Sequence, residues 1–169
     1  MCDHYREHRE DGRPWRLVIA GDFIDLVGMS ISATPDDRLQ TPLSADDTEH
    51  GLGSAEDYAA FKMRAVAARH DPLFRKLAQF VEAGHSLVLI RGNHDVELYW
   101  DAAQRAFMDA LLTRSSIGPT DGSDAVAQAR AAFEGRIEFR HWFYYVDGLL
   151  YVEHGHQYDA TCAHHHVLA

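Results

Sequence analysis

The sequence predicts an α/β fold in which buried strands alternate with helices and polar clusters follow the strand ends. Residues 15–20 contain an unbroken apolar run, as expected for a strand that is covered on both faces. Residues 86–90 form a second such run, bounded upstream by Gly84. In α/β proteins the carboxyl ends of the strands form the edge where ligands bind. The polar clusters at these ends are therefore the candidates for function.

Before the second strand, the pattern predicts one short helix and one long insertion. Residues 3–10 are predicted to form a short polar helix. Residues 29–53 are rich in Ser, Thr, Asp, Gly and Pro and show no periodicity, so an irregular loop insertion is predicted. Because this insertion leaves from beside the first polar cluster, it is either a lid over the site or a disordered surface excursion.

Two helices are predicted between the insertion and the second strand. Residues 54–57 resemble a capping box that opens a helix to about residue 70. Asp71 and Pro72 then provide a cap and a proline at the first helical position, and Gly84 closes this second helix.

The second half of the chain predicts two helices and a hairpin. Helical spacing of apolar residues at 97–114 predicts a helix whose aromatic side chains belong to the core, and a weaker helix is predicted at 123–133. Strands at residues 137–146 and 149–153 flank Asp147-Gly148, a strong signal for a two-residue hairpin turn.

Composition limits the classes of partner and the compartment. At 169 residues the chain has the length of one domain, and its formal net charge of −10 argues against a nucleic-acid binder or an anionic-membrane binder. A small phosphate ester is still compatible, since bound cations reverse the local field. Cys2 and Cys162 form no CxxC pair, so a reducing cytoplasm is expected. No apolar run is long enough to span a membrane.

The candidate site residues lie in three polar clusters: Gly21 to Asp25, Gly92 to Asp95, and His154 to Asp159. Each follows a predicted strand, and together they predict a metal site. A fourth group, His164 to His166, lacks their spacing and is predicted to be an exposed polar turn.

Asp22, Asn93 and His154 are the predicted metal ligands. An aspartate can bridge two divalent cations, an asparagine carbonyl is a neutral oxygen ligand, and an imidazole suits Zn, Fe, Mn or Ni. Oxygen and nitrogen ligands without a thiolate favour a catalytic metal pair over a structural zinc site. Such a pair can lower the pKa of a shared water and hold the oxygens of a phosphoryl group.

His94 is the predicted acid of the site. It is placed to contact a phosphate or to protonate the leaving oxygen. A carboxylate is needed to hold its tautomer and orientation, and Asp25 and Asp95 are both candidates for that role.

The three clusters resemble the second, third and fourth sequence blocks of the calcineurin-like metallophosphoesterase superfamily. The nearer branch is that of the UDP-diacylglucosamine pyrophosphatases, and the resemblance covers residues 16–159. It implies a metallophosphoesterase-type β-sandwich flanked by helices. It also implies that a metal-bridging hydroxide hydrolyses a phosphate ester or pyrophosphate of a small-molecule or lipid-like substrate. The implied cofactors are divalent metal ions, two in the intact family, drawn from Mn, Fe, Zn, Ni or Mg.

The resemblance also assigns roles to residues. It implies that Asp22 bridges both metals and that Asn93 and His154 bind the second one. His94 would contact the phosphate and assist departure of the leaving group. The aspartate three residues after the bridging one commonly pairs with that histidine, which favours Asp25 as its partner.

Two residues are expected to support the metal ligands without binding the metal themselves. Asp95 is the first of them. His156 occupies the position where the fourth block of the nearer branch usually has an aspartate, and it is likewise expected to lie behind the ligands.

Two blocks of the family pattern are missing from the sequence: an Asp-x-His on the first strand and a Gly-His-x-His near the end. Residues 1–169 are therefore expected to form a single, partial domain that is incomplete at both ends. We expect this chain alone to bind at most one metal, weakly, and to hydrolyse little or nothing.

Two alternatives follow from the missing blocks. In the first, the chain is a non-catalytic remnant that serves as a binding or interaction module. Two equivalents of bound metal would support the enzyme, and none or one the remnant. In the second, a partner chain supplies the missing strands.

Overall fold

A three-stranded parallel sheet positions the site. The computed structural model describes residues 2–34, 37, 39–117 and 123–163. In this part of the chain the fold is mixed α/β, as predicted. The strands β1 (Arg16–Ala20), β2 (Ser86–Ile90) and β3 (Ile137–Arg140) run parallel with β2 in the centre. Their carboxyl ends therefore lie at one edge of the sheet.

A separate antiparallel hairpin follows the sheet. Its strands are β4 (Phe143–Val146) and β5 (Leu150–Glu153), which confirms the predicted hairpin. The predicted two-residue turn is wrong, because Val146 pairs with Leu150 and the turn therefore also includes Leu149. The single strand predicted at residues 137–146 is wrong, because the chain leaves the parallel sheet after β3. Two neighbouring segments thus pair with different partners.

The helices of the described chain are α1 (Cys2–Glu7), α2 (Ala45–His50), α3 (Glu56–Arg69), α4 (Asp71–Glu82), α5 (Asp101–Leu112) and α6 (Asp124–Glu134). The predicted helix at residues 97–114 begins later than expected, because a separate 3₁₀ turn at Val96–Tyr99 precedes it and Trp100 is extended. Among these described helices none is long and apolar enough to cross a membrane.

The central strand is covered on both faces, and each face meets a different layer. Leu87 and Leu89 pack with residues of the helices in the main core. Val88 and Ile90 face the other way and pack against the hairpin around Tyr144. β1 differs from the prediction, because it is partly exposed and, in the described sheet, has a strand neighbour on one side only.

The aromatic residues of 97–114 were predicted to belong to the core, and this is confirmed for Phe107 but wrong for Tyr99. Phe107 is fully buried and packs against Phe74 and Phe139, with ring centroids 5.5 and 5.7 Å apart respectively. Tyr99 is 49% exposed, because it lies on the 3₁₀ turn rather than on the buried face of the helix.

The insertion at residues 29–53 is more regular than predicted. It contains α2, whose N-cap Ser44 forms a capping box with Asp47. The capping box predicted at residues 54–57 is wrong, since α3 is capped at Ala55 without a side-chain hydrogen bond. Ser54 is engaged elsewhere: its Oγ donates to Glu97 Oε1 at 3.1 Å. His164 to His166, predicted as a polar turn, lie outside the described residues.

The carboxylate of Asp47 makes the stability of the insertion dependent on pH. The hydroxyl and N–H of Ser44, and the N–H of Gly53, lower the pKa of Asp47 from its ordinary value of 3.8 to about 2. A carboxyl with a lower pKa in the folded state stabilises that state above its unfolded pKa. This contribution is lost as the pH falls through the folded pKa.

We therefore expect Asp47→Ala to be less stable than the wild type at neutral pH, with a difference that narrows between pH 3.8 and about 2. Denaturant titrations, with amide exchange of residues 45–53, would measure both effects. The neighbouring, 84% exposed Asp46 provides the matched control, Asp46→Ala. A difference that stays constant down to the lowest pH would contradict this origin of the stability.

Candidate functional site

The turn after β1 holds Asp22 in a strained position. Gly21 has φ +86°, and Asp22 has φ +51°, a region that residues other than glycine rarely adopt. A Cβ on Gly21 would lie 2.6 Å from Cγ of His154, which leaves no room for a larger residue. The glycine thus allows the third polar cluster to approach the first.

The three polar clusters meet at the carboxylate of Asp22. Its Oδ1 accepts a hydrogen bond from the backbone N–H of His94 at 2.9 Å. Its Oδ2 lies 3.1 Å from Nε2 of His154. Residues that are distant in sequence, and predicted to act together, are therefore in direct contact around one side chain.

His156 contacts the far side of the His154 ring. The two Nδ1 atoms lie 3.2 Å apart, so one of them donates the hydrogen and the other accepts it. If His154 donates through Nδ1, its Nε2 carries a lone pair directed at the Asp22 side. This is the tautomer that a metal ligand requires. In the reverse tautomer, His156 donates to Nδ1 of His154 and the Nε2–H of His154 donates to Asp22.

Asp25 is the carboxylate that contacts His94. Their Oδ1 and Nδ1 atoms lie 3.0 Å apart, and both side chains are about half exposed. The hydrogen bond that His94 donates to Asp25, and then the charge of Asp25, raise the pKa of His94 above 6.5. The N–H of Gly28, and then His94, lower the pKa of Asp25 below 3.8.

Asp95 is fully buried and has a different set of partners. Its carboxylate accepts from the N–H of Phe23 at 2.9 Å and from the N–H of Gly92 at 2.6 Å. Burial raises the pKa of Asp95 above 3.8. Asp95 thus braces the turn after β1 against the turn after β2, while Asp25 contacts the imidazole.

The donor set around Asp22 fits a divalent cation. Two atoms that bind one ion at about 2.0–2.1 Å lie roughly 2.9–3.4 Å apart, and Asp22 Oδ2 and His154 Nε2 are 3.1 Å apart. Asn93 is partly buried on the turn that contacts Asp22. Over residues 2–34, 37, 39–117 and 123–163, however, no three His, Cys, Asp or Glu side chains cluster as a metal site. The structure thus shows two donors with the spacing for one ion, Asp22 Oδ2 and His154 Nε2, and Asn93 remains the predicted third ligand.

A buried ion pair that was not predicted from the sequence lies beneath the site. Lys62 on α3 is 1% exposed, and its Nζ lies 3.2 Å from Oε1 of the fully buried Glu97. The same Nζ donates to the carbonyl of Leu26 at 2.9 Å, one residue after Asp25. No sequence signal was available for this pair, since a lysine within a helix is most often exposed.

Arg91 was also overlooked, although it directly precedes the Gly92 cluster. Its Nε and Nη1 are buried and have no hydrogen-bond partner among the described residues. A charged residue directly after four consecutive apolar residues was a signal that could have identified it.

Replacing Gly92 by alanine is expected to disrupt the site. A Cβ at this position would lie 2.6 Å from the backbone nitrogen of Asp22 and closer still to its Oδ1. We expect Gly92→Ala to cost about 1–3 kcal/mol of stability, as overpacking usually does, and to displace Asp22. Gly53→Ala is the control, because its Cβ would make an ordinary contact of 3.5 Å. Equal stability of the two variants in denaturant titrations would contradict this tight approach.

Comparison with protein-family models, with curated proteins and with solved structures found no match to this chain.

Proposed function

We propose that the chain is a metal-dependent phosphoesterase whose site is built around Asp22. The observation that carries the proposal is the convergence on this carboxylate of His94 and His154, one from each of the other two polar clusters. The predicted family resemblance adds a reaction to this geometry: hydrolysis of a phosphate ester or pyrophosphate.

Asp22, Asn93 and His154 are the residues that would hold the divalent ion. A bound ion would activate water and neutralise the charge that develops on the phosphoryl oxygens. Asp22 supplies negative charge, and its two oxygens are oriented by separate contacts. His156 holds the His154 ring from behind.

His94 is the group that handles the proton of the leaving oxygen. It is exposed enough to meet a substrate, and Asp25 favours its protonated form. The imidazolium would donate a proton from Nε2 to the departing oxygen, since Nδ1 faces Asp25. This arrangement leaves Asp25 as a positioning residue.

The fold proposed with this function is a metallophosphoesterase-type β-sandwich flanked by helices. A metallophosphoesterase-type sandwich requires two β-layers with a shared core. The packing of Val88 and Ile90 on Tyr144 of the hairpin supports this layering. The helices that cover Leu87 and Leu89 on the opposite face support the flanking layer.

The direct test is turnover of aryl phosphate mono- and diesters by purified protein loaded in turn with Mn²⁺, Zn²⁺, Ni²⁺, Fe²⁺ or Mg²⁺. The proposal predicts slow hydrolysis that requires metal and that Asp22→Ala abolishes. Asp25→Asn should reduce turnover about 10–100-fold, as loss of an outer partner typically does, without affecting metal binding. Hydrolysis that is unchanged in Asp22→Ala, or absent with every metal, would contradict the proposal.

A second candidate function is a non-catalytic binding module. The observation that favours it is the direct contact of Asp22 with His154, because the two side chains satisfy each other and tie the hairpin to the sheet. Metal analysis of the purified protein separates the candidates. Bound metal that is lost in Asp22→Ala supports the enzyme. Absence of bound metal, or stability that a chelator leaves unaltered, supports the module.

A further inference from the structure

A small cavity lies beside the candidate metal site, at the ends of β2 and β3. Its volume is about 160 Å³, and the residues that line it include Arg91, His141, Trp142, His156 and Gln157. Since a water molecule occupies about 30 Å³ in the liquid, the cavity has room for a group of about five heavy atoms. None of its described lining residues carries a carboxylate.

Arg91 is the charged residue of this cavity, and its charge is incompletely satisfied. Its Nε and Nη1 are buried, and neither has a hydrogen-bond partner among the described residues. The residues that the structure describes also provide no carboxylate within 4.0 Å of the guanidinium. The nearby Asp95 is occupied by two backbone N–H groups. Leaving buried donors unpaired is costly, and more so when they are charged.

The walls of the cavity hold the guanidinium in place. Its Cζ lies 5.7 Å from the ring centroid of Tyr99, and that ring in turn packs against His141, with centroids 4.9 Å apart. The backbone N–H of Arg91 donates to the carbonyl of Arg140, which continues the ladder between β2 and β3. The arginine is therefore fixed by a strand end and by an aromatic contact, while its buried Nε and Nη1 donate to no acceptor in the described part of the chain.

His141 adds a neutral hydrogen-bonding group. Burial, and then the charge of Arg91, lower the pKa of His141 below 6.5, although Asp101 acts in the opposite direction. At neutral pH the cavity thus combines one unpaired guanidinium with an uncharged imidazole. Such a combination attracts an anion without requiring a second positive charge.

We propose that this cavity binds a small oxyanion, a phosphate or a carboxylate, through the guanidinium of Arg91. The guanidinium carries a permanent charge and suits the oxygens of either group. Since Nε and Nη1 are buried, an oxyanion in the cavity would contact the guanidinium through its remaining nitrogen. It would also convert a buried, unpaired charge into a paired one.

The cavity is connected to the candidate metal site through His156. This residue lines the cavity, and its Nδ1 lies 3.2 Å from Nδ1 of His154. If the proposed function holds, the oxyanion is a second anionic group of the substrate, away from the bond that is cleaved. Arg91 would then determine specificity in favour of substrates that carry two anionic groups. This second step rests on the proposed function, whereas anion binding itself does not.

The test uses metal-free protein at low salt. Inorganic phosphate and acetate are added separately while the side-chain Nε–H resonance of Arg91 is followed by NMR. We expect a saturable shift with a dissociation constant of about 1 mM for at least one of the two anions. The anion that binds more tightly identifies the group as phosphate or carboxylate.

A matched pair of variants assigns the binding to Arg91. Arg91→Gln should weaken it at least about tenfold. Arg140→Gln removes the same charge from the adjacent strand, where Arg140 is half exposed and paired with Glu138, and should leave binding unchanged. No shift of the Arg91 resonance in the wild type with either anion, or equal binding by Arg91→Gln, would overturn the proposal. Because no metal is present, failure of the proposed phosphoesterase activity would not alter this result.

Discussion

Asp22→Asn is expected to eliminate divalent metal binding and every activity that depends on it. The substitution keeps the size of the side chain, and asparagine tolerates the positive φ of this position. It also keeps an acceptor for the N–H of His94. It removes the negative charge that faces His154. The metal affinity should therefore fall by more than the roughly 10–100-fold that is typical when a residue behind a metal ligand is lost.

Graded controls make this prediction specific. His156→Ala removes a group behind the His154 ring, and it should weaken metal binding by about 10–100-fold. Asp46→Asn removes the same charge from an exposed position on α2 and should have no effect. Calorimetric titration with Mn²⁺ or Zn²⁺ would rank the three variants. Wild-type affinity in Asp22→Asn would refute the assignment of this residue as a ligand.

The largest effect on stability is expected from the buried ion pair of Lys62 and Glu97. Glu97→Gln leaves the ammonium group buried without its counter-charge, which should cost about 3–5 kcal/mol. Lys62→Met should be similarly destabilising, because Glu97 would then be buried without its partner. Lys76→Met removes an exposed partner of Asp3 and should cost less than about 1 kcal/mol.

The double variant separates the pair from its surroundings. Lys62→Met combined with Glu97→Leu replaces both charges by apolar groups and should recover much of the loss, since such replacements are often neutral or stabilising. Denaturant titrations of the two single variants and the double variant complete the cycle. Additive losses in the double variant would show that the two charges do not depend on each other.

This pair also has a consequence for the site. Lys62 donates to the carbonyl of Leu26, and the N–H of Leu26 donates to the carbonyl of His94 at 2.9 Å. The turns that carry Asp25 and His94 are therefore tied to α3 through one buried lysine. We expect Glu97→Gln to increase amide exchange at residues 25–28 before the protein unfolds globally.

The elements that depend on local pattern were predicted from the sequence. The apolar runs of β1 and β2 and the hairpin at Asp147-Gly148 are signals contained within a few residues, and the structure has them at these positions. Predictions were wrong where a residue distant in sequence determines the local structure. Ser54 satisfies the pattern of a capping box, but Glu97, 43 residues away, takes its hydroxyl.

In the site, too, contacts that follow from local sequence signals differ from contacts that depend on distant packing. The contact of Asp22 with His94 was within reach of the sequence, because both residues follow ends of neighbouring parallel strands. His154 follows the antiparallel hairpin, so its contact with Asp22 depends on how the hairpin packs on the sheet. The contact between Arg91 and Tyr99, and the cavity beside it, depend on how the end of β3 packs on a 3₁₀ turn. No periodicity or motif in the sequence contains that information.

The proposed function depends most on a divalent ion bound between Asp22, Asn93 and His154. Paramagnetic broadening of histidine ring signals by Mn²⁺ tests it directly. His85 is the internal reference: it contacts Trp15 at the opposite end of the sheet, about 16 Å away for a five-residue strand. We expect substoichiometric Mn²⁺ to broaden the ring signals of His154 and His156 first and to leave those of His85 sharp. In Asp22→Asn we expect no broadening of His154 or His156. Equal broadening of His85 and His154, or broadening that persists in Asp22→Asn, would contradict a metal site at this position.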